Sequence, residues 1–273
     1  MKTTVAAALI AALLALAAGP SRAIEFTSSF DNIKIQAQPG EVVNRGFQLQ
    51  LGPGQRPVHF KARVEDWWQS EDGSQSFYRE PGTLSRSCGR WILLNPVETA
   101  VEPGGTLHIR VTTAVPQDAG SGGYWCVLTV DELPDPLAPL QGVGVRFLAS
   151  ISIGIFVEIA PVRRQAAITA VEISRPQARI TVRNLGDAPL GVDGRIEFLK
   201  PGEQTPVASA AISRATVLLE PVPTRVLTAE LPGPVELPPG RYRVQVILDV
   251  GLDYYIGVQK ELEIPHEAPR PGR

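Results

Sequence analysis

The sequence has few of the residues that metal sites and catalytic centres are built from. Its 273 residues include two cysteines, three histidines and one methionine, and only 20% are charged. The histidines, His59, His108 and His266, lie far apart. No His or Cys pair has metal-ligand spacing, and no Gly-x-Ser-x-Gly nucleophile motif occurs. We therefore expect no metal, no cofactor and no enzyme activity.

An excess of basic residues is also missing. The chain carries 26 Lys and Arg against 28 Asp and Glu. Loss of Lys2 and Arg22 with the leader described below would leave 24 basic residues and a net charge of −4. Without a basic stripe to neutralise phosphates, nucleic acid is not an expected partner.

Long apolar runs are confined to the N-terminus. Met1-Lys2 is followed by the apolar run Val5–Ala18, and Ser21–Ala23 has the small residues of a cleavage site. This pattern predicts a cleaved signal peptide over residues 1–23 and a periplasmic or secreted protein. The alternative is a membrane anchor, but the run is shorter than the ~20 residues that a spanning helix needs. No later segment is expected to span a membrane.

The remaining chain lacks helical periodicity and is rich in turn residues, with 25 Gly and 25 Pro. Short apolar stretches alternate with period two between Gly/Pro turns, which indicates an all-β protein. About seven strands precede the segment 161–165 and about seven follow it, the number in one immunoglobulin-like sandwich. We therefore predict two tandem immunoglobulin-like β-sandwich domains, at residues 24–160 and 166–265, and a disordered tail at 266–273. The predicted strands are 34–38, 46–51, 59–67, 89–94, 106–112, 123–130, 142–158, 167–174, 178–184, 194–199, 207–212, 225–231, 241–250 and 256–264.

The two cysteines, Cys88 and Cys126, both fall in the first predicted domain. In an oxidising compartment an even number of cysteines favours a disulfide bond. The alternative is a pair of buried free thiols. Tyr124 precedes Cys126 by two residues, which is the spacing of the tyrosine corner of immunoglobulin-like domains.

Two aromatic pairs and two carboxylate pairs have alternative interpretations. Trp67-Trp68 and Tyr254-Tyr255 could form a sugar-stacking platform, but a strand would place one ring of each pair in the core and the other outside. We favour this second interpretation. Glu65-Asp66 and Glu71-Asp72 could support acid/base chemistry, although their pattern is more typical of a solvated loop.

One block of the first half resembles the periplasmic pilus (fimbrial) chaperones. It contains Arg90–Pro96, Val101–Val111, Val115–Asp118 and Tyr124–Pro134, followed by Ile151–Pro161, and the order of these pieces carries the resemblance. The second half resembles that family only loosely. The resemblance implies two immunoglobulin-like domains set at an angle and a protein client. That client would be a pilin-like subunit whose sandwich is incomplete.

The resemblance also implies a way of binding. In the family, the last strand of the first domain pairs with the client and completes its sandwich, which is a form of β-augmentation. A Lys and an Arg in the interdomain cleft anchor the client's C-terminal carboxylate. Alignment places Gly154 at the position of that Lys, and Lys34 is the only basic residue in the segment that carries the Arg. The carboxylate anchor is therefore expected to be lost.

The candidate functional surface is the predicted strand Gly142–Glu158. Its alternating apolar residues share one face, and an apolar edge without Pro invites pairing with another chain. The alternative is that the protein's own loop or second domain covers this strand. The predicted client-binding residues are Val145, Phe147, Ala149, Ile151, Ile153, Ile155 and Val157.

These observations favour a periplasmic chaperone-like protein that holds a client by β-strand addition in pilus or surface-structure assembly. Two alternatives stay open. One is a structural or surface-interaction protein that uses the tandem sandwich without chaperone activity. The other, which rests only on the aromatic pairs, is a carbohydrate-binding module.

Overall fold

A computed structural model of the chain describes residues 26–28, 32–53, 56–134 and 148–264. The predicted signal peptide, the predicted tail and the predicted site residues Val145 and Phe147 lie outside these ranges. The described residues form strands, turns and one short 3-10 helix, Gly89–Trp91. They include no helix that is long and apolar enough to cross a membrane. The predicted all-β fold is confirmed.

The first sandwich is built from two sheets that enclose one core. Alternation of apolar and polar residues places one face of each strand inward, as in β2, where Ile33 and Ile35 are buried and Lys34 is exposed. One sheet has the strand order β1-β3-β8-β6, and the other has the order β2-β10-β9-β4-β5, with β7 also paired to β4. The strands are β1 (Phe26–Ser28), β2 (Asn32–Ala37), β3 (Val42–Leu51), β4 (Val58–Gln69), β5 (Gln75–Tyr78), β6 (Ile92–Asn95), β7 (Glu98–Val101), β8 (Thr106–Ala114), β9 (Gly122–Glu132) and β10 (Ser150–Ile159).

The second sandwich repeats this logic around a separate core. One sheet has the order β11-β12-β15 and the other the order β14-β13-β16-β17. Its core includes Phe198, Tyr242 and Leu248. The strands are β11 (Ala166–Ser174), β12 (Gln177–Asn184), β13 (Leu190–Leu199), β14 (Ala208–Val217), β15 (Thr224–Glu230), β16 (Gly240–Asp249) and β17 (Ile256–Ile264).

Each sandwich has a tyrosine corner. The hydroxyl of Tyr124 donates to the carbonyl oxygen of Gly120 at 3.1 Å, and the hydroxyl of Tyr242 donates to the carbonyl oxygen of Pro238 at 2.7 Å. Each bond therefore ties the start of a long strand to the turn that precedes it. The sequence pointed to the first of these corners but not to the second.

The cysteines lie together in the first core, but they are not bonded. Both are fully buried free thiols, and their sulfur atoms are 3.0 Å apart. A disulfide requires about 2.05 Å, so the predicted bond is not present in this structure. Burial, followed by the hydrogen bond with Cys88, raises the pKa of the Cys126 thiol well above its usual value.

A third apolar cluster joins the two domains. Trp67, Trp125 and Val127 on the outer face of the first domain pack against Leu218, which follows β14 of the second. The two indoles are locked in place, because Trp125 Nε1 donates to the Trp67 carbonyl at 2.9 Å and Trp67 Nε1 donates to the Cys126 carbonyl at 3.2 Å. With Trp67 only 6% exposed, this ring is part of the domain joint and is not a sugar-stacking platform.

Of the two carboxylate pairs predicted to lie in a solvated loop, Glu71-Asp72 is exposed in a turn, whereas Glu65-Asp66 is buried on β4. Glu65 is 3% exposed and accepts a hydrogen bond from Thr129 Oγ1, while Asp66 is fully buried. Asp66 accepts bonds from the backbone N–H groups of Gly82 and Leu84 and from the Ser87 hydroxyl. For Glu65-Asp66 the prediction was wrong, because partners distant in sequence satisfy both of these carboxylates. Asp66 thereby holds the loop 82–88 in place.

Candidate functional site

The candidate client-binding strand, β10, has one paired edge and one partly open edge. Its whole length pairs with β9, whereas β2 pairs with it only from Gly154 onward. No strand among the described residues pairs with the other edge of Ser150–Ile153. Unpaired backbone groups of this kind are a template for an added strand.

The hydrogen-bond pattern shows which groups the open edge presents. The N–H of Glu132 on β9 donates to the carbonyl oxygen of Ala149 at 2.8 Å. Hydrogen-bonded and non-hydrogen-bonded positions alternate in an antiparallel pair. The N–H and C=O groups of Ser150 and Ser152 therefore point away from β9, toward the open edge.

The described client-binding residues separate into two groups, and the other two predicted residues, Val145 and Phe147, lie outside the described ranges. Ile153, Ile155 and Val157 are buried in the core of the first domain, with 3%, 0% and 0% exposure, so their side chains are not available to a partner. Ala149 and Ile151 are half-buried. β10 begins at Ser150, later than the predicted start at Gly142, and the segment 142–147 lies outside the described residues.

A buried carboxylate fixes the point at which β10 begins. The side chain of Glu132 is 1% exposed, and its Oε2 accepts a bond from the N–H of Ala149 at 3.1 Å. Arg56 Nη2 lies 3.5 Å from the other oxygen. The residue after β9, Leu133, instead donates its N–H to the carbonyl oxygen of His59 on β4 at 2.7 Å. β9 and β10 therefore separate after this point, and Glu132 makes the last hydrogen bonds between them.

At the other end, β10 runs into a cleft between the two domains. The cleft has a volume of about 560 Å³, and its wall includes Lys34 of β2, Arg164 of the linker and Arg214 of β14. Among the described residues, Glu158 is the one carboxylate that lines the cleft, and it pairs with Arg164. Arg214 lies 4.0 Å from Asp193, which does not line the cleft. Three cations against one carboxylate make the cleft suited to an anion.

The structure explains why a glycine occupies the position at which the resemblance expects lysine. A Cβ on Gly154 would lie 2.6 Å from Asn32 Oδ1 and 2.7 Å from the Phe156 ring. The Phe156 ring packs edge-on against Trp67 at 6.3 Å and lines the cleft floor. The space of a longer side chain is therefore filled, and the cations reach the cleft from other elements. The family's own Lys and Arg are not matched in this chain, and the cations that line the cleft besides Lys34, which are Arg164 and Arg214, come from the linker and the second domain.

Hydrogen bonds between the two domains fix the positions of the residues that line the cleft. Glu220 of the second domain accepts bonds from the N–H of Arg86 at 2.7 Å and from the Ser85 hydroxyl at 2.6 Å. Both donors belong to the loop 82–88 that Asp66 organises. The N–H of Gly123 also donates to the carbonyl oxygen of Asp187 at 2.8 Å. Together with the tryptophan cluster, these bonds set the angle at which the domains meet.

The linker is tied to the second domain. The N–H of Arg163 donates to Asp187 Oδ1 at 2.7 Å, and the N–H of Asp187 donates back to the carbonyl oxygen of Arg163 at 2.9 Å. The N–H of Leu185 bonds to the carbonyl oxygen of Gln165 at 2.8 Å. These bonds position the neighbouring Arg164 at the cleft wall.

Comparison with known proteins identifies the architecture. No protein-family model matches the chain, and no curated protein is significantly similar to it in sequence. Among solved structures, the class 5 fimbriae chaperone CfaA has a TM-score of 0.50 at 10% identity, over 86% of this chain and 99% of CfaA. The chain has the two-domain fold of the fimbrial periplasmic chaperones.

Two further fimbrial structures have similar coverage and slightly lower TM-scores. One comes from a chaperone–tip adhesin complex of CFA/I fimbriae, with a TM-score of 0.49 and 11% identity over 87% of this chain and 98% of the other. The other is the CupB2 chaperone of Pseudomonas aeruginosa, with a TM-score of 0.46 and 13% identity over 88% and 100%. At these identities the likeness concerns the chaperone fold alone.

Several residues that build the candidate site gave no signal in the sequence. Arg214 approaches Lys34 only because the two domains meet, and Glu132 approaches Ala149 only because β9 and β10 pair. Glu220 joins a loop 134 residues away. A motif search along the chain does not find such pairs, since their spacing depends on the tertiary fold.

Proposed function

We propose that this protein is a periplasmic chaperone-like binding protein that holds a protein client by β-strand addition during assembly of a pilus or related surface structure. The observation that carries the proposal is the open edge of β10 at Ser150–Ile153, which leads into a basic interdomain cleft. Main-chain bonds along such an edge supply affinity in β-augmentation.

The position of β2 suggests how a client would lie. β2 runs parallel to β10 and begins at Asn32, opposite Gly154, where the open edge ends. A client strand on the open edge, parallel to β10 and in line with β2, would have its last residue beside Asn32. Asn32 and Lys34 are exposed on the same face of β2, and both line the cleft.

A client that ends at this point would place its terminal carboxylate among Lys34, Arg164 and Arg214. Charge-assisted hydrogen bonds from Lys and Arg to a carboxylate are about twice as strong as neutral ones. This arrangement replaces the cation pair of the fimbrial chaperones with residues from the first domain, the linker and the second domain. The client that best fits is a pilin-like subunit whose incomplete sandwich accepts a strand.

The proposed client-binding residues in the described part of the chain are then Ala149 and Ile151, ahead of the buried residues Ile153, Ile155 and Val157. Val145 and Phe147, which lie outside the described residues, stay predictions from the sequence. The buried residues hold β10 in its own domain. In this proposal β10 stays part of its own domain through its buried side chains, while its open edge at Ser150–Ile153 pairs with the client.

The test compares capture of periplasmic proteins by three forms of the protein. The wild type should retain a pilin-like protein that mass spectrometry identifies, and Lys34→Glu combined with Arg214→Glu should lose it. Arg241→Glu, a change at a residue whose side chain is 80% exposed and does not line the cleft, is the matched control and should behave as wild type.

A second measurement concerns the carboxylate. Extension of the captured client by two C-terminal residues should weaken its binding at least tenfold, because the carboxylate would no longer reach the cations. If no client depends on the cleft or on its own C-terminus, the chaperone proposal is wrong. The tandem sandwich would then be a structural or surface-interaction protein.

A further inference from the structure

The outer face of the first domain carries a row of polar side chains that ends at the open edge of β10. Ile153 faces the core, so its neighbour Ser152 faces outward. The Ser152 hydroxyl lies 3.2 Å from Thr129 Oγ1 on β9, and Thr129 Oγ1 donates to Glu65 Oε2 on β4 at 2.9 Å. The row therefore crosses three strands and stops where β10 has no partner strand among the described residues.

This row lies in a pocket, the edge pocket, whose wall includes Phe77, Arg79, Ser150 and Ser152. The edge pocket has a volume of about 250 Å³. A second hollow of about 530 Å³ shares Arg79 and Ser150 with it and reaches Lys61. Serine side chains are short, so a longer side chain on a strand beside β10 can lie over them and enter either hollow.

The carboxylates that line these hollows already have partners. Arg63 pairs with Asp131, and its Nε lies 3.1 Å from Glu65 Oε1. Glu132 Oε1 lies 3.5 Å from Arg56 Nη2. Little negative charge is therefore left to repel an incoming acidic group.

Two cations at the same place are without such a partner. Arg79 and Lys61 are exposed, and neither forms an ion pair with any residue that the structure describes. Lys and Arg bind carboxylates through charge-assisted hydrogen bonds, which are stronger than neutral ones. The two hollows are therefore suited to an acidic side chain.

The pairing of β2 with β10 shows which client side chains would reach these hollows. Ile33 of β2 is buried, whereas Asn32, opposite Gly154, is exposed. A client strand in line with β2 continues this alternation, so its residues opposite Ser150 and Ser152 face outward. Because that strand ends just before Asn32, these are the second and fourth residues from its C-terminus.

A sugar is less suited to the same place. Phe77 is the one aromatic residue among the described residues that line the two hollows. Tyr254 and Tyr255, considered above for sugar stacking, line neither hollow and are 58% and 66% exposed. The expectation that one of these two rings would be buried was wrong, because both lie in the loop before β17 begins.

We propose that the edge pocket and its neighbouring hollow receive an Asp or Glu side chain of the client strand, and that Arg79 and Lys61 select it. This inference rests on the proposed function and specifies which clients that function accepts. In β-augmentation, main-chain bonds give affinity and pockets for alternate side chains give specificity. The hollows share Ser150 with the open edge, so the client strand passes directly beside them.

Two synthetic peptides serve as probes of this selection. One is acetyl-Thr-Val-Thr-Val-Glu-Val-Glu-Val with a free C-terminal carboxylate, and the other has Gln in place of both Glu residues. Titration of the isotope-labelled protein, followed by NMR at the amides of Ser150 and Ser152, measures both affinities. The Glu peptide should bind about fivefold more tightly than the Gln peptide, as expected for partly exposed ion pairs.

Variants of the protein assign the preference to the two cations. Arg79→Gln combined with Lys61→Gln should bind the two peptides equally and should keep the urea unfolding midpoint of the wild type, because both side chains are exposed. Arg110→Gln is the matched control. Arg110 is an exposed arginine on β8 of the other sheet and lines neither hollow, so this variant should keep the full preference for Glu.

The outcomes separate this inference from the proposed function. Equal affinities of the wild type for the two peptides would overturn the selection of an acidic side chain. Strand addition would still stand if Lys34→Glu combined with Arg214→Glu abolished binding of both peptides. A preference for Glu that survives in Arg79→Gln with Lys61→Gln would also overturn the inference. If neither peptide shifts the Ser150 and Ser152 amides, both proposals are wrong.

The client captured from the periplasm supplies an independent check. Its C-terminal strand should carry Asp or Glu at the second or fourth residue from its end. Replacement of that residue by the corresponding amide should weaken binding to the wild type about fivefold and leave binding to Arg79→Gln with Lys61→Gln unchanged. A captured client with no acidic residue at either position would contradict the inference.

Discussion

Replacement of Leu218 by alanine should disturb the first domain, although Leu218 belongs to the second. Leu218 is 2% exposed and packs against Trp67, Trp125 and Val127. Truncation of a buried leucine typically destabilises a protein by about 2–5 kcal/mol. Because the cavity would open between two domains that can adjust, we expect the lower part of this range, about 2–3 kcal/mol.

Tryptophan fluorescence makes this prediction specific. All four tryptophans, Trp67, Trp68, Trp91 and Trp125, lie in the first domain. Leu218→Ala should shift native emission to longer wavelength and lower the urea midpoint of the fluorescence transition. Leu227→Ala, the same change in the second domain's own core at 3% exposure, is the control and should leave native emission unchanged. If Leu218→Ala has no effect on emission or midpoint, the domains are not joined through this cluster.

Three further predictions follow from single contacts. Gly123→Ala should destabilise the protein by about 1–3 kcal/mol, measured by urea unfolding, because a Cβ there would lie 2.6 Å from Pro189 across the domain joint. Asp72→Ala should cost stability at pH 7 but not below pH 2. Hydrogen bonds from Ser70 and Ser74 lower the pKa of Asp72 from 3.8 to about 2, so its contribution is complete above pH 4 and disappears as pH falls through 2. Glu132→Ala should speed hydrogen exchange at the Ala149 amide, whereas Glu132→Gln, which keeps an acceptor, should restore part of the protection.

Much of the fold could be predicted from the sequence because the signals are local. Alternation of buried and exposed residues gave the strands of both sandwiches, and Tyr124 with Cys126 marked one tyrosine corner. Short strands without a full alternating pattern were missed, as in β5, whose four residues are all exposed.

The site was less predictable because it depends on pairing and on the meeting of two domains. Periodicity placed Ile151, Ile153 and Ile155 on one face, but it could not show that this face is the protein's own core. The aromatic pair Trp67-Trp68 likewise gave no sign of the second-domain residue that would cover it. Such contacts are set by tertiary structure and not by neighbours in the chain.

The most direct test of strand addition is a pair of substitutions at one residue of the open edge. Ser152→Pro removes the N–H that points toward the edge, and proline is tolerated on edge strands. Ser152→Ala removes only the hydroxyl, which lies 3.2 Å from Thr129 Oγ1, and keeps that N–H. Titration of the captured client measures both affinities, with circular dichroism to establish that each variant is folded. Strand addition predicts a loss of at least tenfold for Ser152→Pro and a change within about twofold for Ser152→Ala. Equal affinities for the two folded variants would contradict it.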